Sequence, residues 1–316
     1  MILETIKDNL INYSKKIKFN ILKKIFFLSS ISYFIYYLIL NFKEIPFENQ
    51  LGKNNIYLSF LCSLLSIILN GLAWKNIITW LGQDKNIKNL IPFFIMTNSL
   101  KYVPGGIWHF VERFNFLKRR TNQIIAFYGI LVEPYFMLTA GLLLASTGLF
   151  FHLIYGVFII PLLFLNRNLI YYILIKIESL KNRSINIINI PNSKNQFNSQ
   201  IKIKSFFPIK ALSFEILFVI SKFLSFMLCF SIFNSENNIN IFFMFVIFCL
   251  SWAIGLIVPA APGGLGVFEA CFLFLVDKNY PQNIIIISLI YFRFISTTAD
   301  LLFSSPFLFK KYMIRN

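Results

Sequence analysis

Apolar runs of 18 or more residues recur along the chain, at 25–42, 56–74, 123–149, 153–175, 206–233, 239–258 and 282–309. A helix needs about 20 apolar residues to cross the hydrocarbon core of a bilayer. In lipid every backbone polar group must be satisfied internally, which restricts a spanning chain to helices or a closed barrel. These runs are continuously apolar rather than alternating, so they read as helices. Composition agrees: of 316 residues, 57% are hydrophobic and 14% charged, against about 25% charged in soluble domains. A soluble, disordered or disulfide-stapled chain is excluded. The expected fold is an all-α integral membrane protein with about eight transmembrane helices, counting a short segment at 262–276.

Charge gives the orientation. Thirty Lys and Arg face thirteen Asp and Glu, a net +17. No nucleic-acid-binding motif accompanies them, so we assign the excess to the cytoplasmic side of a membrane. Residues 1–24 place Ile2, Ile6, Leu10, Tyr13 and Ile17 at helical spacing among six lysines, the pattern of a basic amphipathic interfacial helix. Further basic clusters fall at 113–120, where Arg113 is counted with Lys118, Arg119 and Arg120, at 166–210 and in the tail. The turns 149–152 and 234–240 carry no Lys or Arg. Both termini and a polar linker at 182–205 are therefore expected on the cytoplasmic side. The domain reading is an interfacial helix at 1–24, a first membrane half at 25–181, the linker at 182–205 and a second half at 206–316. Trp74, Trp80, Tyr171 and Tyr172 read as interfacial anchors. Cys62, Cys229, Cys249 and Cys271 read as core residues, with no metal-ligand spacing among them.

Two breaks interrupt the apolar pattern. The first is Lys101-Tyr102-Val103-Pro104-Gly105-Gly106-Ile107-Trp108, within 87–110; the second is Pro259-Ala260-Ala261-Pro262-Gly263-Gly264-Leu265-Gly266-Val267-Phe268-Glu269. Pro104 and Pro262 are half a chain apart, and each is followed about 30 residues later by an intramembrane charge, Glu133 and Arg293. Matched spacing of this kind points to an internal duplication. Proline removes a donor and glycines open positive φ, so Pro-Gly-Gly cannot continue a helix. Non-helical backbone at membrane depth is tolerated only against protein or a water-filled cavity. The breaks at 104–106 and 262–264 are thus expected to line an internal cavity as broken or re-entrant segments. The helix after each would aim its partial positive end, and its free N–H groups, at an anion.

Charges inside the spans narrow the candidates further. A charge at mid-bilayer costs about 2.5–3.5 kcal/mol on insertion scales and is normally kept inside the bundle. Arg293 and Asp300 share a helix face but lie about 10 Å apart along it. Arg293 therefore needs a partner elsewhere: Glu269, Glu133 or a lipid phosphate, with the nearby break favouring the phosphate. Glu215 and Lys222 repeat the same seven-residue spacing and read as packing or snorkelling groups. The candidate substrate-binding set is Lys101, Pro104, Gly105, Gly106, Trp108, Glu133, Pro262, Gly263, Gly264, Glu269 and Arg293. No catalytic constellation, metal set or cofactor motif stands out.

The two break motifs, with Glu133 and Arg293, resemble the transmembrane region of lysylphosphatidylglycerol synthases, the flippase-like domain family. The resemblance covers essentially the whole chain. It implies a lipid-translocating unit in a bacterial cytoplasmic membrane, without the aminoacyl-transferase domain that follows in the full synthases. Its partners would be membrane lipids with anionic or glycosylated headgroups, with no nucleic acid, and an oligomer is compatible. The alternatives are a membrane-embedded transferase acting on a lipid carrier, with Glu133 or Glu269 as base, or a non-transporting accessory subunit. The topology is directly testable. In intact cells a Ser193→Cys variant should resist an impermeant thiol reagent and react only after permeabilisation. Labelling from outside would overturn the cytoplasmic assignment of the linker.

Overall fold

The computed structural model describes residues 52–82, 87–103, 106–121, 123–163, 165, 207–233, 240–257, 262–276 and 280–313. The interfacial helix expected at 1–24, the run at 25–42 and the linker at 182–205 lie outside them. Among the described residues every regular element is helical. These are α1 (Lys53–Trp80), α2 (Leu90–Asn98), α3 (Trp108–Lys118), α4 (Gln123–Ala145), α5 (Ile160–Leu163), α6 (Ile209–Phe233), α7 (Ile241–Ile257), α8 (Val267–Leu275) and α9 (Gln282–Met313). Among the described residues four helical stretches are long and apolar enough to cross a membrane: Asn54–Trp80, Ile125–Leu149, Ile209–Phe233 and Gln282–Pro306. Leu153–Leu163 and Ile241–Ile257 are apolar but shorter. The nine residues of α8 reach only about 14 Å at 1.5 Å per residue, half a bilayer core.

Each half follows one plan: a long helix, a hairpin interrupted by Pro-Gly-Gly, and a second long helix. The register between the halves is nearly constant. Helices α3 and α8 begin at Trp108 and Val267, and α4 and α9 at Gln123 and Gln282, 159 residues apart in both cases. Packing is exchanged between the halves. The first hairpin helix, α2, lies against α9 of the other half, and its counterpart α7 lies against α4. Likewise α1 packs on α9 and α6 on α4, while α1 and α6 share the broadest seam among the described helices. The two breaks touch at the centre. A Cβ on Gly263 would sit 2.9 Å from Cε1 of Tyr102, so the second break passes flat against the residue preceding the first.

Small polar residues bring α1 and α6 together. Ser59 and Ser225 exchange hydroxyl hydrogen bonds at 2.8 Å, and Ser63 reaches the Ser225 hydroxyl at 2.9 Å. Each hydroxyl of the first pair also lies within reach of the other helix's backbone, Ser59 at 2.9 Å from the Ser225 carbonyl and Ser225 at 3.0 Å from the Ser59 carbonyl, so the two hydroxyl protons alternate between hydroxyl and carbonyl acceptors. Helix association in lipid lacks a hydrophobic drive and relies on such close contacts. The second half is filled by aromatic rings. Phe226, Phe248, Phe268, Phe272 and Phe292 meet at centroid distances of 5.1–6.1 Å, mostly edge-to-face, a geometry that favours ring pairs beyond their burial.

Trp74 and Trp80 depart from the sequence expectation. Both are buried, not interfacial. The Trp74 indole N–H donates to the Gly129 carbonyl at 3.2 Å, because α1 and α4 approach closely at that glycine. The seam between α1 and α6 makes its own prediction. Ser225→Leu should push the helices apart and cost about 1–3 kcal/mol, while Ser225→Ala should cost less; thermal unfolding in detergent measures both.

Candidate functional site

A cavity of about 310 Å³ lies where the two hairpins meet the long helices. Its wall includes Lys101 and Gly106 of the first break, His109 and Arg113 of α3, and Glu133 and Pro134 of α4. The other half contributes Lys222 of α6, Trp252 of α7, Gly263 and Gly264 of the second break, and Asp300 of α9. Both halves therefore supply charge to one space.

The charges are arranged as pairs. Arg113 is 1% exposed and Glu133 2%. Arg113 donates from Nη1 to Glu133 Oε1 at 2.5 Å and from Nε to Thr97 Oγ1 at 3.0 Å. Its guanidinium stacks 3.7 Å over the Phe94 ring, an arrangement open to arginine but not to lysine. Asp300 is held three ways: by Lys101 Nζ at 2.8 Å, by the Asn98 amide at 2.7 Å and by the Tyr102 hydroxyl at 2.6 Å. Lys222 is 3% exposed and donates to the Ser296 hydroxyl at 2.6 Å. Among the described residues no carboxylate lies within ion-pair distance of it; the charge that reaches it is that of Asp300, which is already paired with Lys101, so two cations share one carboxylate on this side of the cavity.

Arg293 and Glu269 stand behind the second break. The Arg293 Nε donates to Glu269 Oε1, and its terminal nitrogens donate to the carbonyls of Gly263 and Gly264, each at 3.3 Å. The guanidinium also lies 4.7 Å from the Phe268 ring centre. The Glu269 Oε2 accepts the Gly266 N–H at 2.7 Å, so a protein carboxylate already takes an amide at the start of α8. Gly263 and Gly264 have φ of +63° and +72°, which a side chain would strain. The arginine thus satisfies carbonyls that the broken helix leaves without partners.

The two arginine–glutamate pairs are charge-reversed counterparts. In the first half the hairpin helix supplies arginine and the long helix glutamate, Arg113 with Glu133. In the second the hairpin helix supplies glutamate and the long helix arginine, Glu269 with Arg293.

Of the residues singled out from sequence, Lys101, Gly106, Glu133, Gly263 and Gly264 line the cavity. Glu269 and Arg293 do not; they brace its second break. Trp108 is half-exposed and not part of the wall. Pro104 and Gly105 lie outside the described residues, as does the side chain of Pro262. Sequence reasoning counted Arg113 with a surface basic cluster, yet it is fully buried. It took Lys222 and Glu215 for packing or snorkelling groups, and both are fully enclosed. Asp300, Asn98 and Tyr102 carried no signal except their nearness to the first break or to Arg293. Polar atoms without protein partners also collect at the wall: Asn70 Oδ1, His109 Nδ1, Glu133 Oε2 and Trp252 Nε1.

Removing one member of a buried pair leaves the other charge stranded. Arg113→Met should lower stability by about 3–5 kcal/mol. Arg293→Met should cost less, since its side chain is 14% exposed against 2% for Arg113. Adding Glu133→Gln or Glu269→Gln respectively should recover part of each loss. Thermal stability of the single and double variants in detergent measures the coupling.

No curated protein matches the chain. The family model for the lysylphosphatidylglycerol synthase TM region matches residues 25–304, which includes both breaks, both arginine–glutamate pairs and the whole cavity wall. The chain is a membrane protein of the lysylphosphatidylglycerol synthase transmembrane-region family.

Proposed function

We propose that this protein is a lipid translocase that passes an anionic headgroup through the cavity between its two broken hairpins, leaving the acyl tails in the bilayer. The observation that carries this reading is Lys222. Lys222 and Lys101 share the single carboxylate of Asp300, an excess of buried positive charge that calls for a further anion, and both face a 310 Å³ space that a headgroup phosphate can enter. Lys101 stands on the same wall beside Asp300. The first turn of α3 opens on the space through Gly106, Ile107 and His109, so its amide end supports the same anion. The unpartnered polar atoms of Asn70, His109 and Trp252 suit hydroxyl groups of a glycerol or sugar headgroup.

A transferase reading fits the geometry less well. Glu269 has both oxygens engaged, which leaves only Glu133, with Oε2 open and its other oxygen on Arg113, as a base for such a reaction. Arg293 acts in this reading as a brace that fixes the shape of the second break. The basic clusters support a cytoplasmic-membrane location with both termini inside.

The test is lipid exchange in liposomes containing purified protein and fluorescent phosphatidylglycerol. Wild type should move the probe between leaflets faster than protein-free vesicles. Lys222→Met should slow exchange about ten- to a hundredfold, the range expected for a lost charge-assisted contact, while Lys222→Arg should retain part of it. Exchange by Lys222→Met at the wild-type rate would overturn the role of this residue.

A further inference from the structure

One buried carboxyl group beside the cavity has no use in the reading above. Glu215 is the seventh residue of α6 and is 0% exposed. Neither of its oxygens accepts a hydrogen bond from the protein. Two charged groups interact with it, Glu133 of α4 and Arg113 of α3. Helices α1, α7 and α9 also pack on α6, but among the described residues no charged group from them faces Glu215.

Glu133 contributes a third oxygen without a partner, Oε2. Arg113 acts on both enclosed carboxyl groups and is already committed to Glu133 and Thr97; Lys101, which also acts on Glu133, is paired with Asp300. With both acids ionised, a net negative charge would sit in an apolar interior with no donor to it. A proton on Glu215 avoids this, and with Glu133 and Arg113 it makes a unit of zero net charge. The unit borders the cavity. Glu133 and Arg113 are in its wall, as are Phe218 and Lys222, about one and two helical turns beyond Glu215.

We propose that Glu215 and Glu133 form a proton-carrying site, and that its proton is coupled to passage of the anionic headgroup. The coupling rests on the translocase reading; the proton site itself rests on the enclosure of the two acids, their oxygens without partners and the charges around them. An anion arriving beside Arg113 adds negative charge next to the two acids, so anion binding draws a proton in. By linkage the bound proton strengthens anion binding by the same factor. The proton goes onto a carboxylate oxygen on one side of the membrane and leaves it on the other, with no bond made or broken in the lipid. A proton moving with the lipid anion offsets its charge, which lowers the cost of carrying it through the bilayer. A sodium ion is the competing occupant of the same oxygens.

Two measurements decide the matter. The first is the infrared spectrum of purified protein in lipid nanodiscs at neutral pH. A carbonyl stretch from a protonated, non-hydrogen-bonded carboxyl group is expected, and it should be lost in Glu215→Gln. A wild-type spectrum without that band overturns the proton site. The second uses the liposome exchange assay with an imposed pH difference. For one proton per lipid, wild type should skew the probe between leaflets by up to about tenfold per pH unit, and Glu215→Gln should show no skew. A skew driven by a sodium gradient without a pH difference would replace the proton with sodium. Exchange indifferent to both gradients would overturn the coupling and leave the translocase reading intact. No exchange at all would overturn the translocase reading and the coupling together, and the infrared band would still decide the proton site. The wild-type band and gradient response hold even where Glu215→Gln fails to fold.

Discussion

Backbone that leaves the helical path inside a bilayer has no water to satisfy it, and this constraint shapes the molecule around its two Pro-Gly-Gly breaks. Each break must be covered by protein. The solution is reciprocal: α2 and α7 each lie on a long helix of the opposite half, and the second break packs against Tyr102 at the edge of the first. Neither hairpin is covered by its own half alone. The serine seam between α1 and α6 then holds the halves at short range, a substitute for the hydrophobic drive that helices lack in lipid.

Covering a break also requires partners for its polar groups. At the second break Arg293 donates to the Gly263 and Gly264 carbonyls while Glu269 receives the Gly266 amide. The arginine and glutamate neutralise each other, so backbone repair adds no net charge. The first half carries the reversed pair, Arg113 with Glu133, aimed at the cavity instead. One arrangement thus appears in two roles. The pair behind the second break is saturated and fixes shape; the pair at the wall leaves a carboxylate oxygen free and sits beside a second acid, Glu215. That asymmetry, within a nearly repeated plan, is where we place the chemistry.

Much of this was legible in the chain. The spans at 56–74, 123–149, 206–233, 239–258 and 282–309 appear as helices within a few residues, because apolar length alone decides a crossing helix. The breaks were legible because Pro-Gly-Gly has no helical reading at all. Arg293 and Glu133 stood out as isolated charges in apolar runs, and Glu269 was among the partners considered for Arg293. Arg113 was misread for the opposite reason: it lies five residues before the run Lys118-Arg119-Arg120, and local charge density made it look like surface. Trp74 was misread because a tryptophan near a span end suits an interface as well as a close helix crossing, and only the Gly129 carbonyl opposite distinguishes the two.

Residue order alone establishes a helical membrane protein, the course of its apolar helices, and the points in each half where helical or apolar continuity fails. Those properties follow from residue type and spacing along one strand of chain. Which charge meets which was decided only by the tertiary structure. Asp300 was given no partner by its neighbours in sequence, yet it gathers Lys101, Asn98 and Tyr102 from about 200 residues away. Lys222 and Glu215 share a helix face and look alike on paper, but one faces the cavity with a hydroxyl and the other lies enclosed beside Glu133 and Arg113. The physical reason is that a buried charge takes its state from the groups packed around it, and for Asp300 and Glu215 those groups arrive from the other half of the chain.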